Sequence, residues 1–171
     1  MAMFEFPVRG APRDLEEVRR NRKPFYTTSD GRLYRPYVEI RVATPGRLRP
    51  PRWYQLQVDA GADCCVFAQH VADQLGITRP PDAHEERLRT GAGLVLAWFA
   101  EVDLHLGYPT DRYTFDWTAP VGFVRDEVLP AAFPSGILGI GGGLERFQST
   151  TLILTPDGPE MPVVRVYTPT A

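Results

Sequence analysis

The residues of this chain best suited to chemistry are the acid Asp59 and the small residues behind it. Asp59 closes an alternating run, Tyr54-Gln-Leu-Gln-Val-Asp59, and is followed by Ala60, Gly61 and Ala62, with a second acid at Asp63. In an extended strand Tyr54, Leu56 and Val58 share one face, while Gln55, Gln57 and Asp59 share the other. Gly61 can adopt backbone angles closed to other residues, and the flanking alanines leave room for a second chain or a substrate to approach. A carboxylate delivered to such a turn can serve as a base toward water. Taken alone, the pattern better fits an Asp that caps local amides, a common duty for Asp before Gly.

Other constellations carry less. Cys64 and Cys65 are adjacent, and neighbours on a strand point to opposite faces. They are expected to be two free thiols, one buried and one facing a groove. Two cysteines make no structural zinc site, and His70, His84 and His105 have no ligand-like spacing with them, so neither metal nor cofactor is expected. Gly139-Ile-Gly141 hints at a dinucleotide loop. Leu144 stands where that fingerprint needs Gly or Ala, and only Pro-rich sequence follows, so the hint is rejected.

At 171 residues the chain is most simply one domain with one core. Its 17 Pro and 15 Gly are scattered, which favours short strands joined by turns over long helices. Tyr37–Val42 and the Asp59 run read as strands, followed by Cys64–Phe67 and a short helix Ala68–Leu75 stopped by Gly76. Glu85–Leu106 reads as a long hairpin turning at Gly91–Gly93. Tyr113–Trp117, Val121–Val124 and Ile137–Ile140 are further strands, and Thr151–Thr155 with Val163–Tyr167 form a closing hairpin around Pro156-Asp157-Gly158. Ahead of these, Asp14 is placed to cap a helix Leu15–Arg20, and Asp30-Gly31 to turn a hairpin of Phe25–Thr27 against Leu33–Tyr34. The sum is an all-β closed barrel with one or two short helices.

The net charge of −2 hides an asymmetry. Met1–Arg52 holds twelve Lys and Arg against six acids, and the remainder seven against fifteen. The positive charges are spread out, without aromatic interleaving, so nucleic acid is not expected. A solvated face, or an arm docking on the acidic body of its own dimer, accounts for them. No apolar run approaches the roughly 20 residues that span a bilayer, and the start shows no signal peptide. The expectation is a soluble cytoplasmic protein with no membrane partner, divided into a basic extension (residues 1–34) and a body (residues 35–171).

Val58-Asp-Ala-Gly-Ala-Asp63, with the apolar strand, short helix and Leu75-Gly-Ile77 behind it, resembles the retroviral-type aspartic proteases, the retropepsins, in their bacterial branch. Gly136-Ile-Leu-Gly139 resembles the family's apolar-apolar-Gly signature, and Leu144-Glu-Arg-Phe147 the short helix that bacterial relatives carry after it. Order and spacing together make the match more specific than either motif. The resemblance covers about Arg35 to Leu154. It implies a retropepsin-like barrel acting as an endopeptidase on extended polypeptide, with Asp59 catalytic. Two carboxylates about 3 Å apart must share one proton, and the chain supplies one such motif, so the resemblance implies a homodimer.

By the same resemblance Asp63 holds the substrate backbone, Gly61 lies beside the catalytic acid, and Ala62, Cys64 and Val66 line the cleft. Gln57 joins them by sharing the face of Asp59. Gly91, Ala92 and Gly93 become the tip of a flap that closes over substrate, and Ile137, Leu138 and Gly139 pack behind the catalytic loop. Ala60 is a departure. The family has Thr or Ser there, whose hydroxyl bonds across the dimer axis. A catalytically silent module of the same fold, dimerising or binding peptide, is the alternative that Ala60 supports.

Overall fold

Period-two alternation draws most of the described residues into strands, and six of the strands close on themselves. The computed structural model describes residues 2–7, 9–12, 32–46, 52–90, 93–107, 114–128, 135–153 and 163–169. Three strands come first: Met3–Pro7 (β1), Arg9–Pro12 (β2) and Arg32–Arg35 (β3). Tyr37–Ala43 (β4), Arg52–Val58 (β5) and Val66–Ala68 (β6) follow, and then the helix Gln69–Leu75 (α1). Glu85–Thr90 (β7) and Gly93–Leu106 (β8) make a hairpin, and Phe115–Val124 (β9) runs back beside it. Gly136–Leu138 (β10), Ser149–Ile153 (β11) and Val163–Tyr167 (β12) complete the chain.

The barrel runs β4-β5-β10-β6-β9-β8, and β8 pairs back onto β4 through Ile40↔Leu106 to Ala43↔Asp103. Every second residue of these strands points inward. Val38, Ile40, Val42, Leu56, Val102, Leu104 and Leu106 are fully buried in one core with Phe67, Val121, Phe123 and Leu138. The outward positions are polar, as in the cross-strand pair His105 Nδ1–Asp116 Oδ1 at 3.0 Å. The sequence suggests two strands between Tyr113 and Val124, but the structure has one strand of 10 residues. Pro120 does not interrupt it. Gly122 turns its amide to Cys65 O, so position 120 faces the same way, ahead of the first β6–β9 pair, and no ladder bond is lost there.

Helix α1 plugs one end of the barrel with Val71, Ala72 and Leu75. Ala68, at the N-cap position, offers no capping side chain, and Asp126 supplies one from a distance, accepting the His70 amide at 3.0 Å. Gly76, at φ 68°, ends the helix as expected, with Ile77 N–H donating to Ala72 O and Gly76 N–H to Asp73 O. Tyr54 Oη donates to Gln74 Oε1 at 3.0 Å, and Thr44 Oγ1 to Leu75 O at 3.1 Å, fastening the helix to β4 and β5. No helix among the described residues is long and apolar enough to cross a membrane.

A second sheet joins the two ends of the chain. β1 pairs with β12 from Met3↔Tyr167 to Pro7↔Val163, and β12 with β11 from Ser149↔Tyr167 to Ile153↔Val163. Val164 and Val166 are buried, Phe4 and Phe6 pack on the same core, and Arg165 Nε donates to Glu5 Oε2 at 2.7 Å on the outer face. Strand β1 belongs to the stretch set apart as an extension, and its pairing crosses that division. Leu33 and Tyr34 pair with Ala11 and Gly10. Their expected partners Phe25–Thr27, the Leu15–Arg20 helix and the Pro156–Gly158 turn lie outside the described residues. Deleting residues 1–7 is expected to lower stability by about 3 kcal/mol, since two phenylalanines lose their burial. A denaturant titration of the shortened chain, showing an earlier midpoint, checks this.

Candidate active site

The Asp59 loop is built by strands that the sequence holds far apart. Strand β10 lies between β5, which it joins in parallel through Ile137↔Gln57 and Leu138↔Val58, and β6, which it joins antiparallel. Where β5 ends, Asp59 N–H donates to Leu138 O at 3.1 Å, and Ala62 N–H closes a turn onto Asp59 O at 3.1 Å. The chain beyond β10 then grips the far side of the loop. Ile140 N–H donates to Ala62 O and Gly141 N–H to Asp63 O, both at 2.8 Å, while Cys65 N–H returns a bond to Gly141 O at 3.1 Å.

This grip requires glycine at position 139. A Cβ there would sit 2.1 Å from Cys64 O and 2.8 Å from Ala62 O, where no side chain fits. Gly143 packs as tightly, with Cys65 Sγ 2.6 Å from where its Cβ would stand. Gly139 serves contact between backbones, and Gly143 also makes room for the Cys65 and Leu138 side chains. The segment Leu144–Arg146 is a short helix of the 3-10 type, and the expected strand Ile137–Ile140 ends at Leu138, leaving Ile140 44% exposed. Two residues missed in the sequence brace the segment: Glu145 Oε1 accepts the Gly142 amide at 2.9 Å, and Trp117 Nε1 donates to Gly142 O at 2.8 Å. Trp117 sits on β9, so no local signal announces it.

Asp59 is half-buried, and its Oδ1 accepts the Gly61 amide at 2.9 Å. That is the bond a turn-capping Asp makes, and it also fixes the carboxylate at the loop apex. Ala60, Gly61 and Asp63 are exposed, Ala62 is partly buried, and Gln57 is half-buried beside Ile137. Cys64 and Val66 join a second apolar cluster with Ala97, Val124, Leu88, Val95 and Phe99, under one face of the β7–β8 hairpin. So the structure places Asp59, Gly61, Ala62, Asp63 and Cys64 on one loop, with Val66 opening β6 behind it, and packs Cys64 and Val66 against the hairpin. Gly93 pairs with Thr90 across that hairpin, and Gly91 and Ala92 lie outside the described residues. A surface cleft of about 790 Å³ opens on the hairpin's other face, between Arg79–Arg87 and Leu96, and none of the loop residues lines it.

Among the described residues no three His, Cys, Asp or Glu side chains stand close enough to hold a metal ion. His70 and His105 are each engaged with one Asp on the surface. Burial pushes the Cys65 thiol up to about 12, opposed in part by a backbone hydrogen bond of Gly139, and burial also raises Cys64, helped by Asp63 and Glu86.

Two outcomes follow from this geometry. Iodoacetamide at neutral pH is expected to label Cys64 slowly and Cys65 only after unfolding, read by mass spectrometry of digests. Gly139→Ala is expected to destabilise the chain by about 3 kcal/mol, seen in its denaturation midpoint. Turning to known proteins, no family model matches the chain, and no curated protein matches it. Among solved structures it is similar to a retropepsin-like aspartic protease from Rickettsia conorii, at 15% identity over 97% of this chain and 92% of that one, with a TM-score of 0.47.

Proposed function

We propose that this protein is an aspartic-type endopeptidase that works as a homodimer, each copy contributing one Asp59. The observation that carries the reading is the docking of the Asp59-Ala-Gly-Ala-Asp63 loop onto Gly136–Gly141: two motifs distant in sequence, each with its glycine, meet through four backbone hydrogen bonds donated by Asp59, Cys65, Ile140 and Gly141. A loop held this way presents a carboxylate on a fixed backbone, which proton transfer to and from a water needs. A single acid cannot divide the labour of base and electrophile. Two copies meeting at Ala60 and Gly61 supply the pair, one carboxylate charged and the other protonated.

In this reading Asp63 and Gly61 hold the backbone of an extended polypeptide, and Gln57, Ala62, Cys64 and Val66 line its path. The β7–β8 hairpin covers it, with Gly91, Ala92 and Gly93 at the tip. The apolar cluster beneath the hairpin favours apolar substrate residues near Cys64 and Val66. A second reading, a silent dimerisation or peptide-binding module, draws support from Ala60. That residue is exposed and brings no hydroxyl to lock two loops together.

Casein cleavage from about pH 4 to pH 8 separates the readings. The wild-type profile is expected to be bell-shaped and best on the acid side of neutrality, because a carboxylate pair works only while it holds one proton. Asp59→Asn is expected to lower turnover by about a thousandfold or more with the barrel intact by circular dichroism. Asp63→Asn is expected to raise KM and keep part of kcat. Activity that survives Asp59→Asn removes the peptidase assignment, and a wild type inert at every pH favours the silent module. Ala60→Thr is expected to tighten the dimer about tenfold, since one hydrogen bond is restored on each side of the axis. Sedimentation equilibrium reads that change.

A further inference from the structure

The β7–β8 hairpin sorts its charges between its two faces. Leu88 packs, with Cys64, on the buried cluster of Val66, Ala97 and Val124, so Glu86, two residues back on β7, falls on that same inner face. The register agrees, since Glu86 stands opposite Ala97, a buried member of the cluster, and Leu88 opposite Val95. The basic residues of the strand alternate the other way. Arg87 and Arg89 stand opposite Leu96 and Leu94, which are exposed on the outer face. Glu85 shares that outer face and is neutralised there by Arg79 Nη1 at 2.6 Å.

Glu86 has no such counterpart. It is exposed, and among the described residues its carboxylate makes no hydrogen bond or ion pair. What it does reach is the Asp59 loop. Burial raises the Cys64 thiol, and Asp63 and Glu86 add to the rise, so both of the charges felt at that thiol are negative. The passage between loop and hairpin is therefore apolar at Val66 and Leu88 and negative at Glu86.

We propose that Glu86 sets the substrate preference of this cleft, drawing in a Lys or Arg side chain two positions along an extended polypeptide from the apolar residue that packs on Val66 and Leu88. This rests on the reading under which polypeptide passes between loop and hairpin. An extended chain turns alternate side chains the same way, as β7 itself does with Leu88 and Glu86, so the two requirements fall on one face of the substrate. The apolar stem of a Lys or Arg lies along the cleft wall while its head meets the carboxylate. An acidic substrate residue would meet an unpaired like charge there and is rejected. Under twofold symmetry each copy brings one Glu86, so the preference falls at two positions, one on either side of the scissile bond.

The test uses the full chain and fluorogenic peptides that share one cleavable apolar sequence and carry Lys, Gln or Glu at each other position in turn. Cleavage is read as kcat/KM, and binding of the same peptides separately by fluorescence anisotropy. Lys at the responsive positions is expected to raise kcat/KM and tighten binding about fivefold over Gln, and Glu to lower both. Glu86→Gln is expected to abolish the difference, Glu86→Arg to reverse it, and Glu85→Gln, on the outer face, to keep it. Thermal unfolding shows that each variant is folded. Cleavage or binding that does not distinguish Lys from Gln at any position overturns the proposal, as does a Lys preference that survives Glu86→Gln. A Glu86-dependent Lys preference in binding, by a protein that cleaves none of the peptides, leaves this inference standing and removes the peptidase reading. Cleavage indifferent to these charges does the reverse, and a wild type that neither cleaves nor binds removes both.

Discussion

Everything at the candidate site depends on one close approach, that of Gly139 to the carbonyl of Cys64. Strand β10 has to slide between β5 and β6 near enough for Ile140 and Gly141 to reach the Asp59 loop with their amides. A methyl group at position 139 would overlap the Cys64 peptide. Removing it lets two backbones touch, and the hydrogen bonds that follow set the loop's shape, with one side chain of its own, Asp59, adding a bond to the Gly61 amide. That is why the loop tolerates residues as small as Ala60, Gly61 and Ala62: its conformation is imposed from behind.

The barrel itself was legible in the sequence because alternation is a direct record of which side faces the core. Tyr37–Val42 and Tyr54–Val58 carry it cleanly, and both are barrel strands with the anticipated faces buried. The helix after β6 was legible for a similar reason, since Gly76 marks its end. Illegible features share a different cause. Pro120 suggests a break because its tolerance depends on which way its neighbour's amide points, a fact of sheet geometry. Leu33 and Tyr34 pair with Ala11 and Gly10, a partnership that no local signal announces. Trp117 and Glu145 brace Gly142 through contacts between elements, and sequence spacing says nothing about those.

The Asp59 loop sits between these cases. Its motif and its downstream partner could be read as residues, and their meeting is a matter of β10 threading that only the fold displays. The hairpin β7–β8 shows a comparable division of labour. One face, with Leu88 and Val95, closes onto Cys64 and Val66, while the other leaves Leu94 and Leu96 in solvent beside Arg87 and Arg89. A strand pair with two such unlike faces is held only along its inner side. Its attachment therefore depends on how much apolar surface lies beneath it, and anything bound between hairpin and loop adds to that surface.

The pairing of β1 with β12 has a bearing on how the chain comes to be folded. Glu5 and Arg165 face each other 160 positions apart in the sequence, and Met3↔Tyr167 in the same ladder spans still more of it. A ribosome makes β1 first and its partner after every barrel strand. For that interval the backbone of β1 has donors and acceptors open to whatever strand is near, with Glu5 and Pro7 as its only deterrents. Closing so large a loop is slow on entropic grounds, so the seam between the two ends should be the last part of the protein to set and the first to reopen under stress.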